Sequence, residues 1–323
     1  MHKHIIGILC STLLGCAIAA PGCAQSYPSR PIRILVPFAP GGGTDLVARA
    51  VAIKMSDSFG TSVVVDNRPG GNANIGNELA ARATPDGYTL LMTSSSLTIN
   101  ASLYKKLPYD PVKDFSPISL ATNVPYILAA HPSLGVSTFQ EFITLARAKT
   151  KPISYGSAGT GNATHLAMEM MKIVTKIDIV HVPYKGTGQA LTDLLGNQIQ
   201  AYWATMPPTL PHVRSGRLKG LAVGSLKRSK AAPDIPTVSE LGYPGFEAGS
   251  WFGMLAPAGT PKSIVVRLNK EVVGALAAPE LNERLSAEGA EPAGNTPEEF
   301  AAFIKNELVK WAKVTKAAGI AAQ

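Results

Sequence analysis

Short apolar runs alternate along this chain with segments whose apolar positions recur every three or four residues. Residues 32–37 read as a strand, and Leu46, Ala50 and Ile53 share one face of a helix over 45–58. A strand at 63–66, a helix over 75–83 and a strand at 88–93 continue the rhythm. It predicts an α/β fold of parallel strands joined by helical crossovers. The proline-rich stretch Leu107-Pro-Tyr-Asp-Pro111, with Pro117 after it, interrupts the pattern, and a new strand starts at 125–129. A crossing into a second lobe is placed near Asn123.

Within that lobe the pattern predicts helices over 138–149, 163–174, 188–195 and 207–215, with strands at 153–155, 179–183, 199–204 and 218–224. Residues 233–240 read as a loop and a short helix. An extended run over 246–255 sends the chain back, followed by helices over 262–278 and 297–317. The expected division is 25–123 with 248–323 as lobe 1, and 124–247 as lobe 2.

The first residues carry a different signature. Lys3 between two histidines, the apolar run 5–20 and the small residues up to Ala24 have the three parts of a secretory signal, with cleavage expected after Ala24. Nothing after Ala24 approaches the roughly 18 apolar residues of a membrane span. All three cysteines, Cys10, Cys16 and Cys23, lie before the cut, so the exported chain would have no disulfide, thiolate nucleophile or cysteine metal site. A lipid anchor at Cys16 or Cys23 competes with this reading. Against it, Cys16 sits inside the apolar run and Pro21 precedes Gly22-Cys23.

At 323 residues the chain is long enough for two cores. Its formal charge of +8 is scattered, without a basic stripe interleaved with aromatics, which argues against a nucleic-acid partner. A diffuse positive field favours small anions, although solubility explains the basicity equally well.

Two segments repeat one device, a strand running into a glycine-rich turn that opens a helix. The first contains Phe38, Gly41, Gly42, Gly43, Thr44 and Asp45. The second contains Ser157, Gly159, Thr160, Gly161, Asn162 and His165. Glycines let backbone N–H groups converge, and a helix start has unpaired N–H groups at its positive end, so each turn can cradle an anion. Two cradles suggest a ligand held at both ends.

Tyr184, after another strand, is a third candidate edge, and Ser94 stands where ligands of open α/β sheets gather. Asp45 reads as a capping or loop-orienting acid, or as a partner for a ligand amine. Phe38, Trp203 and Trp251 are candidate apolar walls or simply core. The second turn is not a P-loop, because no Gly-Lys-Ser/Thr follows. A hydrolase built on Ser157 and His165 would lack the G-x-S-x-G elbow. His165 and Glu169 share a helix face without an evident third ligand, so no metal and no cofactor are expected.

The ordered motifs Val36-Pro-Phe-Ala-Pro-Gly-Gly-Gly-Thr-Asp45, Asp66-Asn-Arg-Pro-Gly70, Pro85-Asp-Gly-Tyr-Thr-Leu90, Tyr155-Gly-Ser-Ala-Gly-Thr-Gly161, Val182-Pro-Tyr-Lys-Gly186 and Ala256-Pro-Ala-Gly-Thr-Pro261 resemble the Bug family. These are substrate-binding proteins of tripartite tricarboxylate transporters, and the resemblance runs from about residue 27 to 320. It implies a type II periplasmic binding protein fold with a closing cleft and a non-enzymatic role. The implied partners are a small mono-, di- or tricarboxylate, possibly aromatic, and the integral membrane subunits of the transporter, with the receptor itself a monomer. The two loops, 38–45 and 157–165, are those the family uses to grip a carboxylate.

This chain departs from the family at Asn72 and Ala73, where glycines are usual, and at Asn197 and Gln200. The alternatives are a ligand-sensing partner of a membrane receptor and a secreted hydrolase.

Overall fold

A computed structural model describes residues 27–317; the expected signal segment, its cleavage site and the three cysteines lie outside the described residues. The chain folds as β1 (Ile32–Val36), α1 (Gly43–Phe59), β2 (Val63–Asn67), α2 (Asn74–Ala81), β3 (Thr89–Ser94), α3 (Ser96–Leu103) and β4 (Phe115–Ala130). After a 3-10 turn come α4 (Phe139–Ala148), β5 (Ser154–Ser157), α5 (Ala163–Thr175), β6 (Val180–Pro183), α6 (Thr187–Leu195), β7 (Ala201–Thr205), α7 (Met206–Arg214) and β8 (Lys219–Val223). The return consists of β9 (Gly249–Pro257), α8 (Lys262–Ala277), α9 (Pro279–Ala287), β10 (Glu291–Pro292) and α10 (Pro297–Ala317).

Two lobes share one strand. Strands run in the order β2-β1-β3-β9-β4 in lobe 1 and β4-β7-β5-β6 in lobe 2, with β8 also on β4. Over Phe115–Pro125, β4 pairs antiparallel with β9; from Tyr126 to Ala130 it pairs with β7 instead. The switch occurs opposite Gly249, beside the hydrogen bond from Tyr126 N to Ala248 O (3.3 Å). Pro125 offers no N–H at the crossing, and two shifts of register bend the strand before it. The lobes are therefore joined by two antiparallel extended segments, which is how a hinge is built.

The expectation of parallel strands throughout is corrected. β1, β2 and β3 are parallel, as are β5, β6 and β7, but β4 and β9 run antiparallel to their neighbours. Read as starting at 125, β4 in fact starts at Phe115, because its two prolines sit at bulges and at the crossing. Helix α3 is buried continuously over Ser96–Asn100 and again at Leu103, so no amphipathic stripe betrays it. The run read as one helix over 262–278 is followed by a second helix, α9, begun by Pro279.

Each sheet is covered on both faces. In lobe 1, Val47, Val51 and Met55 of α1 and Leu268 and Val272 of α8 pack on Ile34, Leu90 and Met254. On the opposite face Trp251, Leu255, Phe300 and Ile304 form a second layer. In lobe 2, α4 and α5 cover Tyr155, Ala201 and Trp203, while α6 and α7 cover Tyr202 and Ala204. Helix α10 joins both lobes, since Phe300 and Ile304 belong to the lobe 1 layer and Trp311 to the core of lobe 2.

Candidate functional site

The first glycine-rich turn joins β1 to α1. Helix α1 has Gly42 as its N-cap, which offers no side-chain acceptor to the N–H groups of the first turn. Asp45, buried at 2% exposure, holds the turn from inside. Its carboxylate accepts from Gly41 N (2.9 Å), Arg49 Nε (3.0 Å) and Asn67 Nδ2 (3.0 Å). Burial pushes this carboxyl up, but the hydrogen bonds from Arg49, Gly41 and Asn67 outweigh it and hold Asp45 below the ordinary carboxylate value. Its oxygens are thus committed to protein donors, and its role is to orient the loop.

The second turn joins β5 to α5 and is satisfied largely from within. Ala158 N donates to Thr164 Oγ1 (2.9 Å), Gly159 N to Ser157 Oγ (3.2 Å) and Gly161 N to His165 Nδ1 (3.1 Å). Asn162 caps α5 by accepting from Thr164 N (3.1 Å). Ser157 is fully buried, and its hydroxyl meets His181 Nε2 at 2.6 Å; the pairing imagined with His165 is not made. Behind it lies a cluster in which Tyr155 OH donates to Glu169 Oε1 (2.5 Å) and Lys172 Nζ to the same oxygen (2.9 Å). Burial lowers the basicity of His165, and burial together with His165 pushes His181 down to about 4.

The two turns face each other across the lobes. Phe38 and Ala158–Thr160 line one cavity of about 240 Å³ with Gly70–Ala73 and Pro183–Lys185. Ala39 N donates to Lys185 O (3.3 Å), and a Cβ at Gly42 would collide with Thr187 Oγ1. Gly188 at the start of α6 leaves no room for a Cβ beside Pro40 O. Glycine is required at Gly188 because backbone meets backbone across the lobes, whereas at Gly42 the obstacle is the Thr187 side chain.

Tyr184 is at this edge, but its hydroxyl donates to Asp193 Oδ2 (2.7 Å), so it presents its ring rather than its hydroxyl to the cavity. Ser94 closes β3 beside Phe252, and its hydroxyl accepts from Ser96 N (3.3 Å). Thr160 and Gly41 are exposed; Gly43, Thr44, Gly161 and Asn162 are buried. Trp203 and Trp251 are core and not walls. Trp203 stacks on Phe246, and Trp251 packs edge-on to Phe300. Among the described residues no group of three or more His, Cys, Asp and Glu could hold a metal ion.

Thr205 was missed. It ends β7, is 2% exposed, and its hydroxyl has no hydrogen-bond partner among the described residues. It lies 2.9 Å from where a Cβ of Gly43 would stand. The signal was present in Thr205-Met-Pro-Pro208, another strand end with prolines opening a helix. His181 and Asn72 were not legible as site residues, since only folding brings them to Ser157 and Asn162.

The chain shares its sequence family and its fold with known proteins. A family model described as "Tripartite tricarboxylate transporter family receptor" matches residues 47–320. Protein BugT of Bordetella pertussis is 40% identical over 317 residues, covering 98% of this chain and 96% of that protein. The solved periplasmic binding protein BugD is 40% identical with a TM-score of 0.89, over 92% of this chain and all of that one. The structure described as R. palustris Rpa4515 with adipate is 36% identical with a TM-score of 0.88, again over 92% of this chain and all of that one.

Proposed function

Because the chain belongs to the tripartite tricarboxylate transporter receptor family, whose members are two-lobed solute-binding proteins, we propose that its cleft captures a small carboxylate for the membrane subunits of such a transporter. The observation that carries this reading is that Phe38 of the first glycine-rich turn and Ala158–Thr160 of the second line one cavity, from lobes joined by a two-stranded hinge. Helix α1 supplies uncapped N–H groups and the positive end of a helix dipole, which favour an anion. Asp45, Thr164 and His165 brace the turns, so that binding spends little on ordering them. Phe38 and the Tyr184 ring supply apolar wall, and Thr205 Oγ1 supplies a further hydrogen bond beside Gly43.

The lobes would part in the empty protein and close on the ligand, since each contributes contacts made only when shut. We place the protein in the periplasm as a monomer after removal of residues 1–24. Support comes from the periplasmic relative and from the finding that no described helix is long and apolar enough to cross a membrane. The site is read as non-enzymatic because Ser157 is fully buried, its turn lacks the G-x-S-x-G elbow, and a similar solved protein is a periplasmic binding protein.

Thermal unfolding against mono-, di- and tricarboxylates, adipate included, tests the reading. A carboxylate at 100 times its dissociation constant should stabilise by about 2.7 kcal/mol. A flat panel with well-folded protein would overturn the carboxylate assignment.

A further inference from the structure

A chain of polar side chains runs from the core of lobe 1 to the second glycine-rich turn. Thr93 Oγ1 donates to Asn77 Oδ1 (3.1 Å), Asn77 Nδ2 to Tyr109 OH (3.0 Å), and Tyr109 OH to Asn74 Oδ1 (2.9 Å). Asn100 Nδ2 donates to the same Asn74 oxygen and to Asn72 O, both at 2.7 Å, while Asn72 Nδ2 returns a bond to Asn100 Oδ1 (2.9 Å). The chain then crosses between the lobes. Asn162 Nδ2 donates to Asn72 Oδ1 (3.3 Å) and to Ser96 Oγ (2.7 Å). On its other side Asn162 Oδ1 accepts from Thr164, whose hydroxyl takes the Ala158 N–H of the ligand turn.

We propose that Asn72 and Asn162 form a closure latch, a pair of residues that positions the lobes and sets how readily the cleft shuts. The inference rests on the two-lobed binding reading and adds to it the residues that weight the closed form. Asn162 is both the cap of α5 and the only side chain in this network that donates from lobe 2 to lobe 1, so the loop and the closure share one residue. Asn72 is held out toward it by an unusual backbone, with Gly70, Gly71, Asn72 and Ala73 all at positive φ (133°, 57°, 53° and 75°). A side chain there is carried against the backbone's preference for glycine, and asparagine tolerates that region best among residues with a polar tip. The Asn72 side chain earns its place through the bonds it makes, one within lobe 1 and one across the cleft.

Affinity follows from this placement. A ligand that needs the closed form binds with an apparent dissociation constant divided by the fraction of protein competent to close. Removing the crossing bond should therefore weaken binding about three- to tenfold, the range of one net hydrogen bond.

The test compares Asn72→Gly, which suits the left-handed backbone, with Asn162→Ser, which keeps a neutral helix-capping oxygen but removes the crossing amide donors, and with the double variant. Small-angle scattering of the ligand-free chain and calorimetry with adipate are the two measurements, with a thermal melt to establish folding. The latch predicts a larger ligand-free radius of gyration, or a three- to tenfold weaker and faster-dissociating adipate complex, in each single variant. The double variant should be little worse than the Asn162 variant alone, because that variant already removes the bond to Asn72 along with the one to Ser96. Unchanged scattering and unchanged adipate affinity in folded Asn72→Gly would overturn the latch, as would fully additive losses. If adipate binds none of the proteins, the scattering decides: a larger radius in the variants supports the latch while counting against adipate as ligand, and identical profiles overturn it.

Discussion

The ring of His165 lies face to face with that of His181, centroids 4.1 Å apart and planes inclined by 21°. Each ring also holds a piece of the second glycine-rich turn, His165 through Gly161 N and His181 through Ser157 Oγ. Protonating His165 would turn its acceptor nitrogen into a second donor facing the Gly161 amide. Protonating both rings would place two positive charges in stacked contact, with Glu169 and Lys172 the nearby charged groups. Both histidines are therefore biased toward the neutral form in the folded protein.

The direction of the pH dependence follows. A histidine whose folded value lies below its unfolded value of 6.5 contributes stability fully above about 6.5, and that stability is lost as pH falls through the folded value, about 4 for His181. The melting temperature should decline from pH 6.5 toward 4, and carboxylate affinity with it. His181→Gln should flatten that decline, and an equally steep one in the variant would count against this account.

Asp45 titrates in a different window. Its folded value is lowered from 3.8, so its contribution is intact above that pH and is lost only in stronger acid. Asp45→Asn replaces an oxygen that Gly41 N and Arg49 Nε share and leaves the Arg49 charge unpaired. We expect a loss of about 2–3 kcal/mol in urea unfolding. A variant as stable as the parent would show that the turn stands without its internal brace.

Gly42 tests closure by sterics alone. A methyl at Gly42 would strike Thr187 Oγ1 across the lobes, while the Cβ of Thr187 would remain at an ordinary 3.6 Å. Gly42→Ala should weaken ligand binding at least about tenfold with little change in the ligand-free melt, since the clash is met only on closing. Adding Thr187→Ala should restore affinity. Calorimetry on the single and double variants reads this directly, and failure of the rescue would place the effect within α1 itself.

Glu307 holds the back of the hinge. Its Oε2 accepts from Trp251 Nε1 (3.0 Å) on β9 and from Trp311 Nε1 (2.8 Å), whose ring is packed in lobe 2. Glu307→Ala leaves two buried indole donors unpaired and should cost about 3 kcal/mol, whereas Glu307→Gln keeps an acceptor and should cost about 1 kcal/mol. Chemical denaturation of both variants distinguishes this from a surface glutamate, for which neither change would register.

Much of the frame was legible because its signals are local. The capping box of Thr138 and Glu141 marks the start of α4, and the glycine runs mark the two strand-to-helix turns. What escaped was set by distant parts of the chain. Trp203 and Trp251 look alike as strand aromatics, and only the packing of Phe246 and Phe300 against them makes both core. Asp45 had two readings, a loop-orienting acid or a partner for a ligand amine, and only the placement of Arg49 and Asn67 on its oxygens favours the first. Helix α3 and the first half of β4 lacked the periodicity of their class because one is buried at five positions in a row and the other carries Pro117 at a bulge.

By itself, then, the order of residues determined the α/β alternation, the two anion-cradling turns and the likeness to a family of receptors, since propensity, capping and glycine geometry act over a few residues. Only the tertiary structure decided that β4 and β9 form the crossing, that His181 rather than His165 meets Ser157, and that Asn72 reaches Asn162. Those contacts join residues 24 to 142 positions apart, and their energies arise only when packing excludes water and holds the two partners together.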